Sequence, residues 1–414
     1  MSTTRTFQDM LNEYLTNDLL KEELVKRDYF LTKVEKDDGW KGGTVPVPFK
    51  GAGASSVAFG ALTDSTDIAE DQYVRGTISS MKEVWGTMKF NHRDLMEHDG
   101  KIKETTFLRI LPDAVDEFAD YMKQVVSVNL LNGPHYAKAT GNGAVGGTIV
   151  VDHPDRFMIG QKVIVDDDNS VEASGYVTAI DMNTKELTIK DARSGGAAVD
   201  LSAYTTAQNA KLYNPGQQPS AGYGFSSARD MLLSAANGGS STLHGQTKLA
   251  YPFLQAINVN GSSVLSTNIL SKIFDAYVTI RTFGKGNPAE AIMSYRNFGY
   301  VLANLESSKG AFNVIAGSEK TSVYGWTEIM IGGVKGMLKV IGVQEMDDDV
   351  IMFIDWRAFK FISNGFFKKR IAPDGKHYFE QRATTGYSYI IDQCLFGELM
   401  CIRPSYCGIM HSIP

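Results

Sequence analysis

In the stretch Thr44-Val45-Pro46-Val47-Pro48-Phe49, apolar side chains alternate with two prolines, which have no backbone N–H to donate to a ladder. The alternation predicts a β-strand, and the prolines confine it to a sheet edge or a free-standing hairpin. Glycine, alanine and serine dominate the next ten residues, and a second alternating run extends from Tyr73 to Phe90. At roughly 3.3 Å per residue that run reaches about 60 Å, too long for the interior of a small domain. We therefore predict a projecting β-hairpin over residues 41–91.

Before the hairpin, residues 1–40 form a predicted N-terminal arm that opens with an amphipathic helix from residue 6 to about residue 27. Thr6 followed by Asp9 is typical of a capped helix start. Apolar side chains then return at helical spacing, at Phe7, Met10, Leu11, Tyr14 and Leu15. This stripe fits an ordinary surface helix, a helix docked on the chain's own long helix, or a helix docked on a neighbouring copy.

The strongest helix signal follows the hairpin, from about Pro112 to Asn132. Pro112 suits the first turn of a helix, and acidic residues close behind it favour the positive end of the helix dipole. The sequence Asn132-Gly133-Pro134 is a stop signal. We expect an isolated helix of about 30 Å, at about 1.5 Å per residue.

Residues 147–213 predict a small inserted β-domain, because short β-rich runs alternate there with turns rich in aspartate and asparagine. Glycine pairs and Asn214-Pro215-Gly216 bound the segment, so the chain leaves and re-enters a second domain. The remainder mixes helices and strands without regular βαβ alternation, which indicates the α+β class. Expected helices begin near Ser266 or Thr267 and at Tyr295, and expected strands cover 291–293, 338–343, 350–354, 359–362, 378–382 and 387–402.

The composition is that of a soluble globular protein, with 414 residues, 43% of them hydrophobic and 21% charged. The net charge of −6 argues against a protein that coats nucleic acid through a basic face. The sequence shows no secretory signal and no apolar run long enough to span a membrane. Its three cysteines, an odd number close to one another, fit reduced thiols. We therefore expect synthesis in a cytoplasm and no membrane partner.

Residues that carry enzyme chemistry never gather at recognisable spacings. The dinucleotide-like Gly284-x-Gly286-x-x-Ala289 follows a predicted helix, whereas that motif must follow a strand. Asp166–Asp168 and Asp347–Asp349 offer oxygen ligands for a hard cation, but both lie where hairpin turns are expected. The short spacing of a zinc knuckle is missing among Cys394, Cys401, Cys407 and His411. We predict no catalytic, cofactor-binding or metal-binding residues, no cofactor, and no enzyme activity.

The order of these parts resembles the major capsid proteins of tailed bacteriophages, which have the Hong Kong 97 fold. Those subunits have an N-terminal arm, an extended loop built as a long β-hairpin, a peripheral domain with a spine helix, and an axial domain. On that resemblance the parts are the arm (1–40), the extended β-hairpin loop (41–91), the peripheral domain (92–132 and 340–400, with its spine helix at 104–132), the axial domain (133–146 and 214–339), an inserted β-barrel-like domain (147–213) and a C-terminal segment (401–414). The stretches 157–163 and 177–181 are similar to β-rich insertion domains of some of these proteins.

The resemblance implies an α+β, Hong Kong 97-like capsid fold with an inserted small all-β domain. It implies a major capsid protein that self-assembles as pentamers and hexamers into an icosahedral shell enclosing double-stranded DNA. Such a protein assembles in the bacterial host cytoplasm, is located in the virion capsid, and touches packaged DNA by weak non-specific contact. Further implied partners are a separate scaffolding protein, a portal and cement proteins.

In such a shell the arm and the hairpin lie across neighbouring copies. Our candidates for that subunit interface are Phe7, Leu11, Tyr14, Trp40, Phe49, Trp85 and Phe90. We expect no covalent crosslink, because no asparagine and acid partner can be chosen for the lysines that border the hairpin.

Three other functions stay open at this point. One is an encapsulin-like cellular nanocompartment shell of the same fold, which holds cargo proteins instead of DNA. Another is a different phage structural protein, such as a tail-tube subunit. The third is a multidomain enzyme whose site residues meet only in three dimensions.

Overall fold

The computed structural model describes residues 28–40, 43–50, 73–91, 104–167, 172–206, 210–218, 224–264, 266–284, 286–307, 328–333, 336–364, 367–369, 379–383 and 386–414. Helices and sheets are mixed along them, so the predicted α+β class is confirmed. The α-helices of these ranges are α1 (Tyr29–Lys33), α2 (Glu104–Asn132), α3 (Ala228–Leu232), α4 (Ile269–Phe283) and α5 (Tyr295–Ser307).

The strands of these ranges form three six-stranded sheets and two two-stranded sheets. In the first half of the chain they are β1 (Glu35–Asp37), β2 (Val45–Lys50), β3 (Tyr73–Ile78), β4 (Lys82–Asn91), β5 (Ala137–Lys138), β6 (Thr148–Val150), β7 (Lys162–Asp166), β8 (Glu172–Asp181), β9 (Glu186–Lys190) and β10 (Lys211–Tyr213). In the second half they are β11 (Thr242–Leu243), β12 (Gln246–Thr247), β13 (Ile257–Asn260), β14 (Glu290–Met293), β15 (Glu328–Gly333), β16 (Gly336–Gly342), β17 (Ile351–Ile354), β18 (Phe359–Ile362), β19 (Phe367–Lys369), β20 (Phe379–Ala383), β21 (Gly386–Cys401) and β22 (Gly408–His411).

The first sheet, which we call the long-strand sheet, is built around β21, a strand of 16 residues. One edge of β21 pairs in succession with β18, β19 and β20, all antiparallel, and β1 extends this side parallel to β18. The other edge pairs with β4, from Gly397 opposite Lys82 to Ser388 opposite Asn91. At about 3.4 Å per residue β21 is about 54 Å long, so it aligns elements that are distant in sequence.

The second sheet closes on itself. Its strand order is β5-β10-β7-β8-β9-β6, and Ala139 bridges Val151 where the first and last strands meet. The N–H of Asp152 donates to the carbonyl of Lys138 at 3.0 Å across the same seam. Residues 137–213 therefore form a closed six-stranded barrel, hereafter the barrel. Its core contains fully buried aliphatic side chains and also takes in Val128 of α2.

The third sheet, the mixed sheet, has the order β13-β22-β17-β14-β16-β15 and combines parallel and antiparallel pairs. Every residue of β14, β17 and β22 is buried, as expected of strands covered on both faces. Ala291 and Phe353 belong to the core beneath α4 and α5. Their neighbours Ile292 and Met352 belong to the core shared with α2 and the long-strand sheet. The mixed sheet therefore forms the wall between two hydrophobic cores.

Helix α2 has 29 residues and is about 43 Å long at about 1.5 Å per residue. It ends at Asn132, as the stop signal predicts, and Gly133 follows with a φ of 129°. The helix begins at Glu104, so the interpretation of Pro112 as a first-turn residue is wrong. Strong helix formers such as Leu108 and Arg109 precede the proline and carry the helix back past it, despite the one hydrogen bond that a proline removes.

The return half of the predicted hairpin is two strands. β2 pairs with β3, from Val45 opposite Ile78 to Lys50 opposite Tyr73, whereas β4 pairs with β21. The predicted continuous run from Tyr73 to Phe90 is therefore wrong. Its alternation continues past residue 78 because β4 also has a buried face, which includes Met88. The described hairpin is β2 and β3, and residues 51–72 lie outside the described residues.

Three predicted domain boundaries also need correction. Strand β5 lies in the barrel, although residues 133–146 were assigned to the axial domain. Strands β16, β17 and β22 all lie in the mixed sheet. The predicted boundaries had separated them, with β16 across the boundary between 214–339 and 340–400, β17 within 340–400 and β22 within 401–414. Pairing between strands that are distant in sequence leaves no local signal, so the sequence pattern could not group them.

Candidate functional site

A groove of about 740 Å³ lies where β4, α2 and the barrel meet. Residues 83–87 of β4 form one wall, and Phe118, Tyr121, Met122 and Val125 of α2 form the floor. The opposite wall consists of the barrel residues 158–162 and Arg193, with residues 214–217. We call it the barrel groove. It is the most prominent candidate for a contact surface in the described part of the chain.

The floor and the first wall of the groove touch closely because Gly86 has no side chain. A Cβ at this position would lie 2.4 Å from Cζ of Phe118 and 2.5 Å from Sδ of Met122. A glycine within a strand often marks a place where another element approaches the backbone. Gly86 therefore fixes β4 against α2 and leaves its neighbour Trp85 on the open side.

Trp85 is 51% exposed, which is unusual for the largest apolar side chain in proteins. Its indole packs edge-on against Phe396 at 5.9 Å between ring centroids. Its Nε1–H donates to Oε2 of Glu83 at 2.9 Å. The ring is thus held in one orientation on the face of β4 that points away from α2, and half of its surface is exposed.

The opposite wall presents Met158 and Ile159, which are 47% and 72% exposed. The turn that carries them is tied down by hydrogen bonds. The N–H of Met158 donates to Oε1 of Gln161 at 2.9 Å, and the N–H of Gly160 donates to the carbonyl of Val177 at 2.7 Å. Two large apolar side chains are therefore displayed by a fixed turn, which lowers the entropy that a partner must remove on binding.

Two cations lie on the barrel side of the groove. Lys162 begins β7, and its register partner on β8 is Tyr176. The guanidinium of Arg193 lies over the Tyr176 ring, 5.4 Å from its centroid. The barrel wall of the groove is consequently basic, whereas Glu83 lies on the β4 wall.

The structure places the predicted interface residues in three situations. Trp85 lies in the barrel groove. Trp40 and Phe49 are 3% and 1% exposed within the chain's own core, so they have almost no surface left to offer a neighbour. Phe7, Leu11, Tyr14 and the side chain of Phe90 lie outside the described residues. The burial of Trp40 and Phe49 follows from strands and loops that are distant in sequence, such as the carbonyl of Ser363 that accepts from the N–H of Trp40 at 3.2 Å.

Sequence reasoning missed Met158, Ile159 and Arg193 as surface residues. The available signal was two large apolar residues directly before Gly160, which has a φ of 86° typical of a tight turn. A turn normally carries polar residues, so an apolar pair there indicates either burial or a contact surface.

The root of the hairpin is seated in the core by its apolar face. Phe49 stacks on His244, with 6.1 Å between ring centroids and an interplanar angle of 15°. The N–H of Thr77 points away from β2 and donates to the carbonyl of His244 at 2.8 Å. Pro46 lies opposite Thr77, at a position where the β2–β3 ladder needs no donor. The prolines therefore fit a two-stranded sheet without loss of ladder bonds, as the sequence predicts.

A second polar feature is a buried ion cluster around Asp347, which we call the Asp347 cluster. The Asp347 side chain is 1% exposed and pairs with Arg156 of the barrel at 3.1 Å and with Lys138 at 3.0 Å. Arg229 of α3 contacts Asp347 at 3.1 Å and Asp349 at 2.8 Å. Through these ion pairs the barrel and α3 both contact the loop before β17.

The charges in the Asp347 cluster decide its protonation. Burial by itself raises the pKa of Asp347, but the charge of Lys138, the His135 hydrogen bond and the charge of Arg156 outweigh burial and hold this pKa well below its ordinary value. Burial lowers the pKa of His135 despite its contact with Asp347. At neutral pH His135 is therefore neutral, and its Nε2–H donates to Asp347 at 3.1 Å.

Asp152, His153 and Asp347 bring one ligand atom each within 4.8 Å of one another, the spacing of a possible metal site. Lys138, Arg156 and Arg229 already surround the Asp347 carboxylate. A divalent cation there would be repelled by three positive charges, so the donor set does not fit a metal.

Glu398 lies on β21 and is almost fully buried, which raises its pKa to about 7 from the ordinary 4.5. The folded chain holds the Glu398 proton more tightly than the unfolded chain does. Protonated Glu398 therefore adds to the free energy of unfolding at low pH, and this stabilisation is lost as pH rises from about 4.5 to about 7. We expect Glu398→Gln, which keeps an oxygen to accept from the N–H of Ser226, to reduce the loss of stability between pH 5 and pH 8 by about 2 to 3 kcal/mol. Urea unfolding at both pH values measures this. Glu83→Gln, at an exposed position, should leave the difference unchanged, and an equal effect of both variants would contradict the assignment.

Among the helices of the described ranges, none combines the length and apolar character that crossing a membrane requires.

No family model matches the chain, and no curated protein matches it significantly. Among solved structures, the chain is similar to the capsid asymmetric unit of cyanophage A-1(L), at 11% identity and a TM-score of 0.47, over 92% of this chain and 91% of that one. It is also similar to the capsid of the native GTA particle, at 10% identity and a TM-score of 0.44, over 93% and 90% of the two chains. A virus-like particle from Pyrococcus furiosus matches at 9% identity and a TM-score of 0.36, over 96% and 98%. The solved structures that this chain resembles are mainly capsids of bacteriophages and related particles.

Proposed function

We propose that this protein is a major capsid protein that self-assembles as pentamers and hexamers into an icosahedral shell around the double-stranded DNA of a tailed bacteriophage. The observation that carries the proposal is the two-stranded sheet of β2 and β3, which within the described residues pairs with no further strand. Its root is fixed in the core, and residues 51–72 continue from its far end. Val47 and Phe49 bury one face of this sheet in the subunit's own core, whereas Pro46 and Pro48 are exposed on the other face, which in our proposal a neighbouring copy covers.

Further features support an assembling subunit. The barrel groove displays Trp85, Met158 and Ile159 on ordered elements, as a preformed contact surface would. The net charge of −6 fits a shell whose inner surface faces DNA without gripping it. Scaffolding, portal and cement proteins are the further partners that we propose for such a shell. The barrel is assigned to folding support and to contacts at the outer surface.

Electron microscopy of the purified, concentrated protein tests the proposal. Closed shells of uniform size, with and without a co-expressed scaffolding protein, are the expected result. Open tubes would indicate a tail-tube subunit, and small solitary particles at high concentration would overturn the assignment to a shell. Nucleic acid recovered from shells purified from infected cells separates a DNA capsid from a compartment that encloses cargo proteins.

Replacing Trp85 by alanine is expected to weaken assembly by about 30-fold, because truncating an interface anchor costs about 2 kcal/mol or more. The subunit itself should lose about 1 kcal/mol or less, since half of the indole is already exposed. Light scattering against concentration measures assembly, and urea unfolding measures stability. Met182→Ala, 56% exposed on the turn between β8 and β9 and outside the groove, is the matched control. Equal losses in assembly and stability for Trp85→Ala would remove the anchor role.

A further inference from the structure

The barrel groove combines an apolar surface with basic residues on one of its walls. Its apolar surface is formed by Phe118 and Met122 on the floor and by Met158 and Ile159 on the barrel wall. Its basic residues, Lys162 and Arg193, lie on the barrel wall alone. A ligand for this groove therefore needs an apolar stripe flanked by acidic residues, which is the helix-in-groove mode of recognition.

One segment of this chain outside the described residues has this pattern. Between Thr6 and Leu20 the apolar stripe is Phe7, Met10, Leu11, Tyr14 and Leu15. The charged residues of the same segment are Asp9, Glu13 and Asp18, all of them acidic. Its charge is therefore complementary to the barrel wall, and its sequence predicts the helix that the groove requires.

The position of Asp28, where this segment joins the described structure, favours a second copy as its source. The chain enters the described structure at Asp28, which is fully buried and hydrogen-bonded to Ser127 of α2, near Lys123. Phe118 on the groove floor and Ser127 are nine residues apart, which is two and a half turns at about 3.6 residues per turn. The two residues consequently lie on opposite faces of α2. Asp28 therefore lies on the side of α2 away from the groove floor of its own copy.

We infer that residues 6–20 of one copy bind as an amphipathic helix in the barrel groove of a second copy. Leu11 and Tyr14 contact Phe118, Met158 and Ile159, while Asp9 and Glu13 face Lys162 and Arg193. This inference rests on the proposed self-assembly and specifies one contact that holds neighbouring subunits together.

Disulfide trapping in the full chain tests the contact. Two single variants, Leu11→Cys with an affinity tag and Ile159→Cys without one, are mixed during assembly and oxidised. The native thiols of Cys394, Cys401 and Cys407 are buried and do not compete. The expected result is a covalent heterodimer on a non-reducing gel. Met182→Cys in place of Ile159→Cys is the matched control, exposed on the barrel but outside the groove, and should form no heterodimer.

Charge reversal tests the electrostatic part of the same contact. In the disulfide experiment, Lys162→Glu combined with Arg193→Glu should lower the heterodimer yield at least tenfold, and Asp9→Lys with Glu13→Lys on the other copy should restore it. Lys185→Glu, on the exposed turn after β8, should leave the yield unchanged. Failure of the charge swap to restore the yield would overturn the charge pairing. A second thiol pair, Tyr14→Cys with Met158→Cys, covers the case in which the first pair does not fold.

Two results would overturn the inference. One is a disulfide within a single chain carrying both Leu11→Cys and Ile159→Cys, and the other is no disulfide in either thiol pair. Electron microscopy of the same samples separates this inference from the proposed function. Shells that form without the heterodimer would contradict only this inference. Heterodimers that form without closed shells would contradict only the proposed capsid function.

Discussion

Replacing Asp347 by asparagine is expected to lower the free energy of unfolding of the subunit by about 3 to 5 kcal/mol. The reason is that Arg156, whose side chain is 1% exposed, would keep its buried positive charge without a carboxylate to pair with. Urea unfolding followed by circular dichroism measures the loss. This is a large share of the stability of a typical domain, about 5 to 15 kcal/mol.

The neighbouring residue provides the matched control. Asp348 has a side chain that is 25% exposed and pairs with Arg296 at 3.4 Å. Asp348→Asn should change stability by about 1 kcal/mol or less, because exposed ion pairs contribute little. If the two variants lose equal stability, the buried ion pairs of Asp347 contribute no more to the fold than the more exposed pair of Asp348.

The same cluster makes the subunit sensitive to acid. The pKa of Asp347 lies well below its ordinary 3.8 in the folded chain, so its contribution is present above that value and is lost as pH falls through the folded pKa. The pKa of His135 lies below its ordinary 6.5, so below that pH the unfolded chain takes up a proton that the folded chain does not. His135 therefore lowers stability as pH falls below 6.5 and Asp347 lowers it as pH falls below about 4, so Asp347→Asn should flatten the decline in thermal unfolding below about pH 4.

Deleting the barrel, residues 137–213, and joining Tyr136 to Asn214 with a short Gly-Ser linker is expected to leave a subunit that does not unfold cooperatively. The deletion uncovers Val125 and Val128 of α2, which pack in the barrel core. It also removes Lys138 and Arg156 from Asp347. Solubility and differential scanning calorimetry measure the outcome, with the full chain in parallel.

Shortening the turn between β8 and β9 is the control for this deletion. Residues 182–185 are exposed and join Asp181 to its partner Glu186, and an Asn-Gly pair in place of these four residues should preserve cooperative unfolding because it makes a two-residue hairpin. If the deletion variant is soluble and unfolds in one sharp transition, the barrel is not required for cooperative folding of the rest of the subunit.

Local signals predicted the elements well. The helix stop at Asn132, the end of α4 before Gly284 and the bounds of β18 at 359–362 all agree with the sequence patterns. Each of these depends on neighbours along the chain, such as a glycine after a helix or an apolar run between turns. The helix and strand periods therefore carry enough information to place single elements.

The candidate site could not be predicted in the same way. Trp85 was a candidate, but Met158 and Arg193 reach it only because β4, α2 and the barrel meet in space. Likewise, Asp347–Asp349 has the pattern of an exposed turn, and nothing near it in sequence predicts that Arg156 and Lys138 bury it. The hairpin was predicted too long for a related reason, since the partner of β4 lies on β21, about three hundred residues further on.

The central position of β22 has a consequence for how the molecule is made. β22 pairs with β13 on one side and β17 on the other, and these two strands do not pair with each other. It is also the last strand of its sheet to leave the ribosome, so a growing chain carries a sheet split into two halves until residues 408–411 emerge. The wall between the two cores is therefore completed only once residues 408–411 have joined β13 to β17.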